Sequence, residues 1–249
     1  MKIINAKAEI LFLDDQRAID EIYARIETAG RTCYKSEEYV IPGSSRTFAK
    51  RVVDMHHEAM LEHASIMVRF TVDRGVSHEI VRHRLAAFAQ ESTRYCNYSK
   101  KKFGNEITFI RPCFFENETA EDIWEALMNS CEIAYMDMIG NSGKTPQEAR
   151  CVLPNSLKTE VIMTANIREW RHFFKLRAAC ETGPAHPQML EVAVPLYQEM
   201  CARLPELFSD IVIPEDVMKK YGKRMLVAQG NEQCEGQISM EELLNDGKV

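Results

Sequence analysis

The sequence predicts one large domain in which strands and helices are intermixed, and not a Rossmann fold. Three observations carry this. A chain of 249 residues with 45% hydrophobic composition is long enough to bury one substantial core. Its strand-like and helix-like stretches follow one another without a regular βαβ rhythm, and G-x-G-x-x-G, the phosphate-binding turn of dinucleotide folds, is absent. Neither internal repeats nor linkers interrupt the chain.

Residues 2–13 mix alternation with a final apolar run and predict a strand. Asp14 and Asp15 cap a helix carrying Ile19, Ile22, Tyr23 and Ile26, which ends near Gly30. A loop covers Thr32 to Ser45. The second helix sets Phe48, Val52, Met55 and Ala59 on one stripe, with His56, His57, Glu58 and Glu62 off it. Residues 64–73 predict a strand, and Gly75 and Ser77 open a helix that runs into the segment Arg82–Arg94. Tyr95 to Lys102 is a polar, basic loop, and Glu106 to Ile110 is a short strand closed by Pro112. Ile123, Leu127, Cys131 and Ala134 share helical spacing, predicting a helix from Glu118 to Ile139 that Gly140, Asn141 and Gly143 stop.

Thr145-Pro146 starts a further helix that runs through Arg150 to Pro154. The β-branched Thr159, Val161, Ile162 and Thr164 predict a strand over 159–165. Asn166 stands three residues before Glu169, a capping arrangement that starts a helix with Trp170, Phe173 and Phe174 on its core face. Arg168, His172 and Lys175 occupy another face. Arg177 shares the side of the two phenylalanines, where a guanidinium has to be paired. Gln188 to Leu204, between Pro187 and Pro205, is the last long helix. Beyond Pro214 come Lys-Lys-Tyr-Gly-Lys-Arg, a polar segment over 229–237 and a short acidic helix, none of which carries a legible function.

A formal charge of −6 and a pI near 5.7 speak against nucleic acid or anionic membrane as partners, so local basic patches read as small-anion sites. No apolar run reaches signal-peptide or membrane-span length, which predicts a soluble protein. Eight cysteines are scattered without a C-x-x-C, which fits a reducing cytoplasm best.

The densest chemistry lies between Arg82 and Arg94. Arg82, His83 and Arg84 are followed by seven residues and then Ser92, Thr93 and Arg94. Read as a helix, Val81, Leu85 and Phe88 make an apolar stripe, with Arg82 and His83 on the far side. Two cations converging at ~6 Å repel by about 3 kcal/mol at an effective dielectric near 20, a cost that an anion relieves. A solvated basic helix turn is the plain alternative for the triplet. A surface helix has no need of Gln90, Glu91, Ser92, Thr93 and Arg94 in succession, whereas a phosphorylated nucleotide can use each of them. Ser92 is not read as a nucleophile. Its nearest candidate base, His83, is nine residues away and flanked by two cations that depress its basicity. His56, His57 and His63 invite a zinc reading, but H-E-x-x-H fails because Leu61 stands where the second histidine belongs. No metal site is predicted.

The fixed spacing Arg-His-Arg-x7-Ser with Arg94 two residues on resembles the signature of the flavin-dependent thymidylate synthases, and the resemblance extends from about Arg31 to about Leu207. It implies an α+β single domain, residues 1–213, with a mixed sheet flanked by helices, and an extension of unknown role over 214–249. It further implies a homotetramer with active sites shared between subunits. The implied reaction is reductive methylation of dUMP to dTMP, with methylenetetrahydrofolate as carbon donor and NADPH-reduced FAD as hydride donor. By resemblance, His57, Ala59, Glu62, Arg82, His83, Arg84 and Gln90 lie along the FAD, and Asn166, Ile167, Arg168 and His172 close over it. Glu79, Arg82, Gln90, Glu91, Ser92, Thr93, Arg94 and Arg150 fall at positions that hold dUMP, although relatives with Gln in place of Glu79 put that contact in question. Ala59 offers only its main chain. Arg177 falls at the uracil edge and is the catalytic candidate. Two rival classes remain: a metal-dependent phosphohydrolase using His56, His57, Glu58 and His63, and a non-enzymatic nucleotide sensor using the same basic pocket.

Overall fold

The computed structural model describes residues 1–222, and it is an α+β protein. In chain order its strands are β1 (Lys2–Ile4), β2 (Lys7–Leu11), β3 (Ser65–Asp73), β4 (Ala86–Gln90), β5 (Thr108–Ile110) and β6 (Lys158–Asn166). The helices are α1 (Gln16–Tyr34), α2 (Ser44–Asp54), α3 (Arg74–Ile80), α4 (Glu118–Gly140), α5 (Pro146–Ala149), α6 (Ile167–Arg177), α7 (Pro187–Arg203), α8 (Pro205–Phe208) and α9 (Glu215–Tyr221). The polar segment over 229–237 and the acidic helix expected after it lie outside the described residues. No helix among the described residues is long and apolar enough to cross a membrane.

The chain divides into two compact units, and β3 and β6 each run from one into the other. The first comprises Met1–Ala8 and Arg69–Met163. Here β1 pairs in parallel with β5, Ile3 opposite Phe109, while the larger sheet runs in the order β3-β6-β4. Tyr98, Ile107, Phe109, Met128, Tyr135, Ala149 and Leu157 form its buried cluster, with Phe103, Trp124 and Val152 packed around it. Asp73 accepts from Val76 N to cap α3 and Asn117 from Ala120 N to cap α4; α5 begins with a capping box between Thr145 and Glu148.

The second unit comprises Glu9–Val68 and the residues from Thr164 on. Its part of the sheet runs β2-β3-β6, and Ile167 N donates to Ala64 O at 3.0 Å where β6 gives way to α6. Trp170, Phe173 and Phe174 are fully buried, as their spacing predicts, and their rings pack in edge-on and stacked pairs 5.5–6.0 Å apart.

Four expectations are corrected. The strand over 2–13 is two strands, because Ile4 and Lys7 end and begin different pairings. The second helix stops at Asp54; His56 turns left-handed at φ 55 and a 3-10 turn over Glu58–His63 follows, leaving Ala59 exposed rather than on a core stripe. α5 is one turn only, after which Arg150–Val152 forms a 3-10 turn. Most consequentially, Arg82–Arg94 is not helical. After α3 the bonds Arg82 N to Glu79 O and His83 N to Ile80 O tighten into turns, and β4 then pairs with β6. Leu85, placed on a buried stripe by helical spacing, is 73% exposed.

α1 also continues past Gly30 to Tyr34. The glycine is not a stop signal but a point of close approach: a Cβ there would lie 2.4 Å from Phe48 Cζ on α2. Alanine is worth about 1 kcal/mol over glycine in a helix interior, whereas overpacking costs roughly 1–3 kcal/mol. We therefore expect Gly30→Ala to lower stability by up to ~2 kcal/mol, and Phe48→Leu in the same chain to recover part of it, measured by urea denaturation. A stabilised Gly30→Ala chain would show that the α1–α2 contact is slack.

Candidate functional site

In the first unit, β4 sets the geometry of the cationic segment. Glu91 N donates to Glu160 O at 2.9 Å, which holds the end of β4 against β6. Successive side chains then point to opposite faces. Gln90 Nε2 donates to Ser77 Oγ at 2.9 Å and to Thr159 Oγ1 at 3.3 Å. On the other face Glu91 accepts from Tyr98 Oη at 3.1 Å and from Lys158 Nζ at 2.8 Å. Burial works to lower the Lys158 pKa, but hydrogen bonds and charge from Glu91 and Glu160 outweigh it and raise it, so the ammonium is held charged. Burial first, and the Glu91 charge second, push the Tyr98 hydroxyl well up, so it stays a donor.

Beyond Glu91 the chain folds into a tight turn. Tyr95 N and Cys96 N both donate to Ser92 O, at 3.2 and 2.9 Å, while Ser92 Oγ accepts from Arg94 N at 3.3 Å. Thr93 is buried, and Arg150 Nη1 donates to its hydroxyl at 3.4 Å, tying the segment after α5 to the motif. Arg150 is aimed by its neighbour Ala149, which is fully buried in the cluster of the first unit. Arg82, Arg84 and Arg94 are exposed, and none of the three forms an ion pair among the described residues. Arg94 lies over the ring of Tyr95 at 5.5 Å. His83, between two exposed arginines, is buried and engaged, as is the half-buried Glu79. The first unit thus presents guanidiniums, hydroxyls and turn amides, with the Glu91 carboxylate already paired to Lys158 and Tyr98. Such a donor set suits a phosphate.

The second unit holds the remaining predicted residues. Asn166 Oδ1 accepts from Glu169 N at 2.9 Å and caps α6. Ile167 is fully buried, which leaves only its main chain for a ligand. Arg168 donates through Nε to Glu58 at 3.2 Å and through Nη1 to Glu62 at 2.6 Å, tying α6 to the 3-10 turn after His57. The Glu62 hydrogen bond leads the causes that raise the Arg168 pKa further. His57 is half-buried, His172 is exposed and engaged, and Arg177 is half-buried and engaged in the last turn of α6. His56, His57, Glu58 and His63 do not gather into a metal-ligand group among the described residues, and Glu58 is committed to Arg168. A groove of about 490 Å³ in this unit, lined by Leu11, Phe12, Ile22, Ile66 and Met67 among others, contains none of the predicted site residues.

Sequence reasoning passed over Lys158, Tyr98 and Arg171. For Lys158 the only available signal is its place two residues before Glu160 on a strand, which puts both charges on one face; nothing local identifies their partner.

Residues 18–206 match the family model described as thymidylate synthase complementing protein. A flavin-dependent thymidylate synthase of Geobacter sulfurreducens is 30% identical over 194 residues, which cover 75% of this chain and 81% of that protein. One from Mycolicibacterium gilvum is 31% identical over 209 residues, covering 76% and 80%. Two solved structures share the fold. The flavin-dependent thymidylate synthase ThyX of Helicobacter pylori, complexed with FAD and dUMP, has a TM-score of 0.60 at 20% identity, over 84% of this chain and 100% of that one. The UMP/dUMP methylase PolB of Streptomyces cacaoi, bound with 5-Br dUMP, has a TM-score of 0.63 at 18% identity, over 89% and 98%.

Arg171 anchors the helix that carries Arg168, His172 and Arg177. Only 4% of its side chain is exposed, and its two terminal nitrogens reach Asp210 at 2.7 and 2.6 Å; Nη1 also donates to Leu207 O. Burial acts to raise the Asp210 pKa, but the hydrogen bonds and charge of Arg171 prevail and lower it. A carboxyl with a depressed folded pKa stabilises fully above its unfolded value, near 3.9, and loses that contribution as pH falls through the lower folded one. We expect Asp210→Asn to be less stable at pH 7, and the difference from wild type to shrink below about pH 4 in paired thermal melts. A difference independent of pH would disprove the ionic origin.

Proposed function

The chain belongs to the flavin-dependent thymidylate synthases, and on that premise we propose that it methylates dUMP reductively to dTMP, with its own residues holding dUMP and FAD. The observation that carries the reading is the set of three exposed guanidiniums, Arg82, Arg84 and Arg94, without ion pairs among the described residues, beside a buried Thr93 held by Arg150. In an acid-rich chain that arrangement fits phosphorylated ligands of the size of a nucleotide and a flavin dinucleotide.

When bound, FAD reduced by NADPH supplies a hydride for the one-carbon unit that methylenetetrahydrofolate donates. The protein's part is to bind, orient and polarise. Ser92, Thr93, Arg94 and Arg150, with the turn amides, receive the dUMP phosphate; Arg82 serves nucleotide and flavin, and Arg84 the flavin diphosphate. Gln90, with its amide nitrogen engaged, offers the nucleotide its amide oxygen, and Glu91, with both carboxylate oxygens and its N–H engaged, only its main-chain carbonyl. In this reading His83 lies along the flavin and Glu79 stands beside the nucleotide. Ser92 acts as a hydrogen-bonding group and not as a nucleophile, since among the described residues no base accepts its proton and its oxygen accepts from Arg94 N. His57, Ala59, Glu62, Asn166, Ile167, Arg168 and His172 line the flavin.

Arg177 is the catalytic residue of this reading. A fixed cation at the uracil edge stabilises negative charge spread over N3 and the carbonyls as C5 becomes nucleophilic. Its place on α6, held by three buried aromatic rings and by Arg171, gives the guanidinium a rigid mount.

The proposal includes residues 1–213 as the active body, 214–249 as an extension, the cytoplasm as location, and a homotetramer whose active sites are shared between subunits. Sharing is supported by the distance in sequence between the three contributing segments and by the length of a dinucleotide, which a short turn does not enclose.

Purified protein is expected to be yellow or to take up FAD, to bleach with NADPH without oxygen faster when dUMP is present, and to form dTMP when methylenetetrahydrofolate is added. A colourless protein that cannot be reconstituted with FAD sinks the reading. For the assembly, mixing inactive Arg177→Ala chains with inactive Arg84→Ala chains is expected to restore part of the activity through hybrid sites. An active monomer in sedimentation would end the shared-site proposal.

A further inference from the structure

The segment that we assign to the dUMP phosphate contains one acid, Glu91. A free carboxylate between Gln90 and Ser92 would repel the dianion beside it, so the fate of that charge decides whether the segment accepts phosphate. Strand alternation sends Glu91 away from Gln90, to the face of β6 where Lys158 and Glu160 stand. Both its oxygens are taken: Oε1 by Tyr98 Oη at 3.1 Å and Oε2 by Lys158 Nζ at 2.8 Å. Lys158 also reaches Glu160 at 3.1 Å, and only 21% of its side chain and 14% of that of Glu91 is exposed. Tyr98 is buried, with its ring 5.4 Å from Phe103 and 5.7 Å from Tyr135, so its hydroxyl cannot swing elsewhere without moving the core of the first unit.

We infer that Lys158 and Tyr98 are positioning residues for nucleotide binding: they pair the Glu91 carboxylate and turn it aside, leaving Ser92, Thr93 and Arg94 to face the phosphate as donors only. The inference rests on the dUMP reading above. It differs from a merely structural ion pair in what it predicts. A structural pair affects stability, whereas this one sets the local charge next to the ligand.

The test uses flavin-loaded protein and reads dUMP binding by calorimetry, steady-state kinetics and the thermal midpoint together. Lys158→Met is expected to raise the dUMP Kd and KM about tenfold to a hundredfold, since an unpaired like charge then adjoins the phosphate, with kcat at saturating dUMP within about threefold. Adding Glu91→Gln to that chain is expected to bring Kd back to within about threefold of wild type, because the offending charge is gone. Tyr98→Phe keeps the packed ring and is expected to raise Kd about threefold to tenfold; it carries the test if Lys158→Met does not fold. Wild-type dUMP affinity in a folded Lys158→Met or Tyr98→Phe chain overturns the inference. So does a double variant that binds as weakly as Lys158→Met alone. A wild-type protein that binds no dUMP overturns the function itself, a pattern distinct from tight wild-type binding with indifferent variants.

Discussion

What the cationic segment can do depends on the backbone bond from Glu91 N to Glu160 O. It sets the register of β4 on β6, and a slip by one residue would exchange every side chain between the two faces. In the observed register Gln90 meets two hydroxyls while Glu91 meets a lysine and a tyrosine. Slipped, the carboxylate would face Ser77 and Thr159 with no cation. A neutral hydrogen bond nets about 1 kcal/mol, whereas stripping a partner from a largely buried charge costs roughly 3–5 kcal/mol. The ion pair therefore decides the register, and the register aims the donors.

That dependence explains which parts of the molecule were legible in the sequence. Helix ends governed by local chemistry were: α4 runs Glu118–Gly140 against an expected 118–139, α7 runs Pro187–Arg203 between its two prolines, and Asn166 caps α6. The residue types of Arg82–Arg94 alone suggested a ligand segment, which remains the proposal. They did not reveal its conformation. Leu85 and Phe88 fit a helical period, but Ala86, Phe88 and Gln90 also fit a strand period, their half-burial alternating with exposed Ala87 and Ala89. Pairing with β6, some seventy residues away, chose between them, and no local propensity reports such a partner. Gly30 misled for a related reason, since a glycine that ends a helix and one that admits a neighbouring ring look alike until the ring of Phe48 is in place.

Several arginines are spent on ion pairs, whereas the three of the motif, among the described residues, are not. Arg25, Arg31, Arg111, Arg168, Arg171 and Arg203 each have a carboxylate partner. With 37 acids to 31 lysines and arginines, partners are plentiful. Arg82, Arg84 and Arg94, within thirteen residues, have none among the described residues, and the one acid between them is given to Lys158. Surface ion pairs are worth ~0–1 kcal/mol each, so leaving them out at the proposed anion site costs little stability.

The same packing that stabilises the first unit also orients the groups proposed to bind its ligand. Tyr98 enters the buried cluster through its ring and donates to Glu91 through its hydroxyl; Ala149 is fully buried in the cluster and is followed by Arg150, which donates to Thr93. A change in the cluster, for instance at Tyr135 against Tyr98, would thereby reach two of the groups proposed to bind ligand. Linkage runs in the reverse direction too, because a ligand that binds only the folded form stabilises it by RT ln(1 + [L]/Kd). On the proposed reading, nucleotide held by Ser92, Thr93 and Arg150 would add that free energy to the cohesion of the very cluster that aims them, which would couple core and site in the first unit.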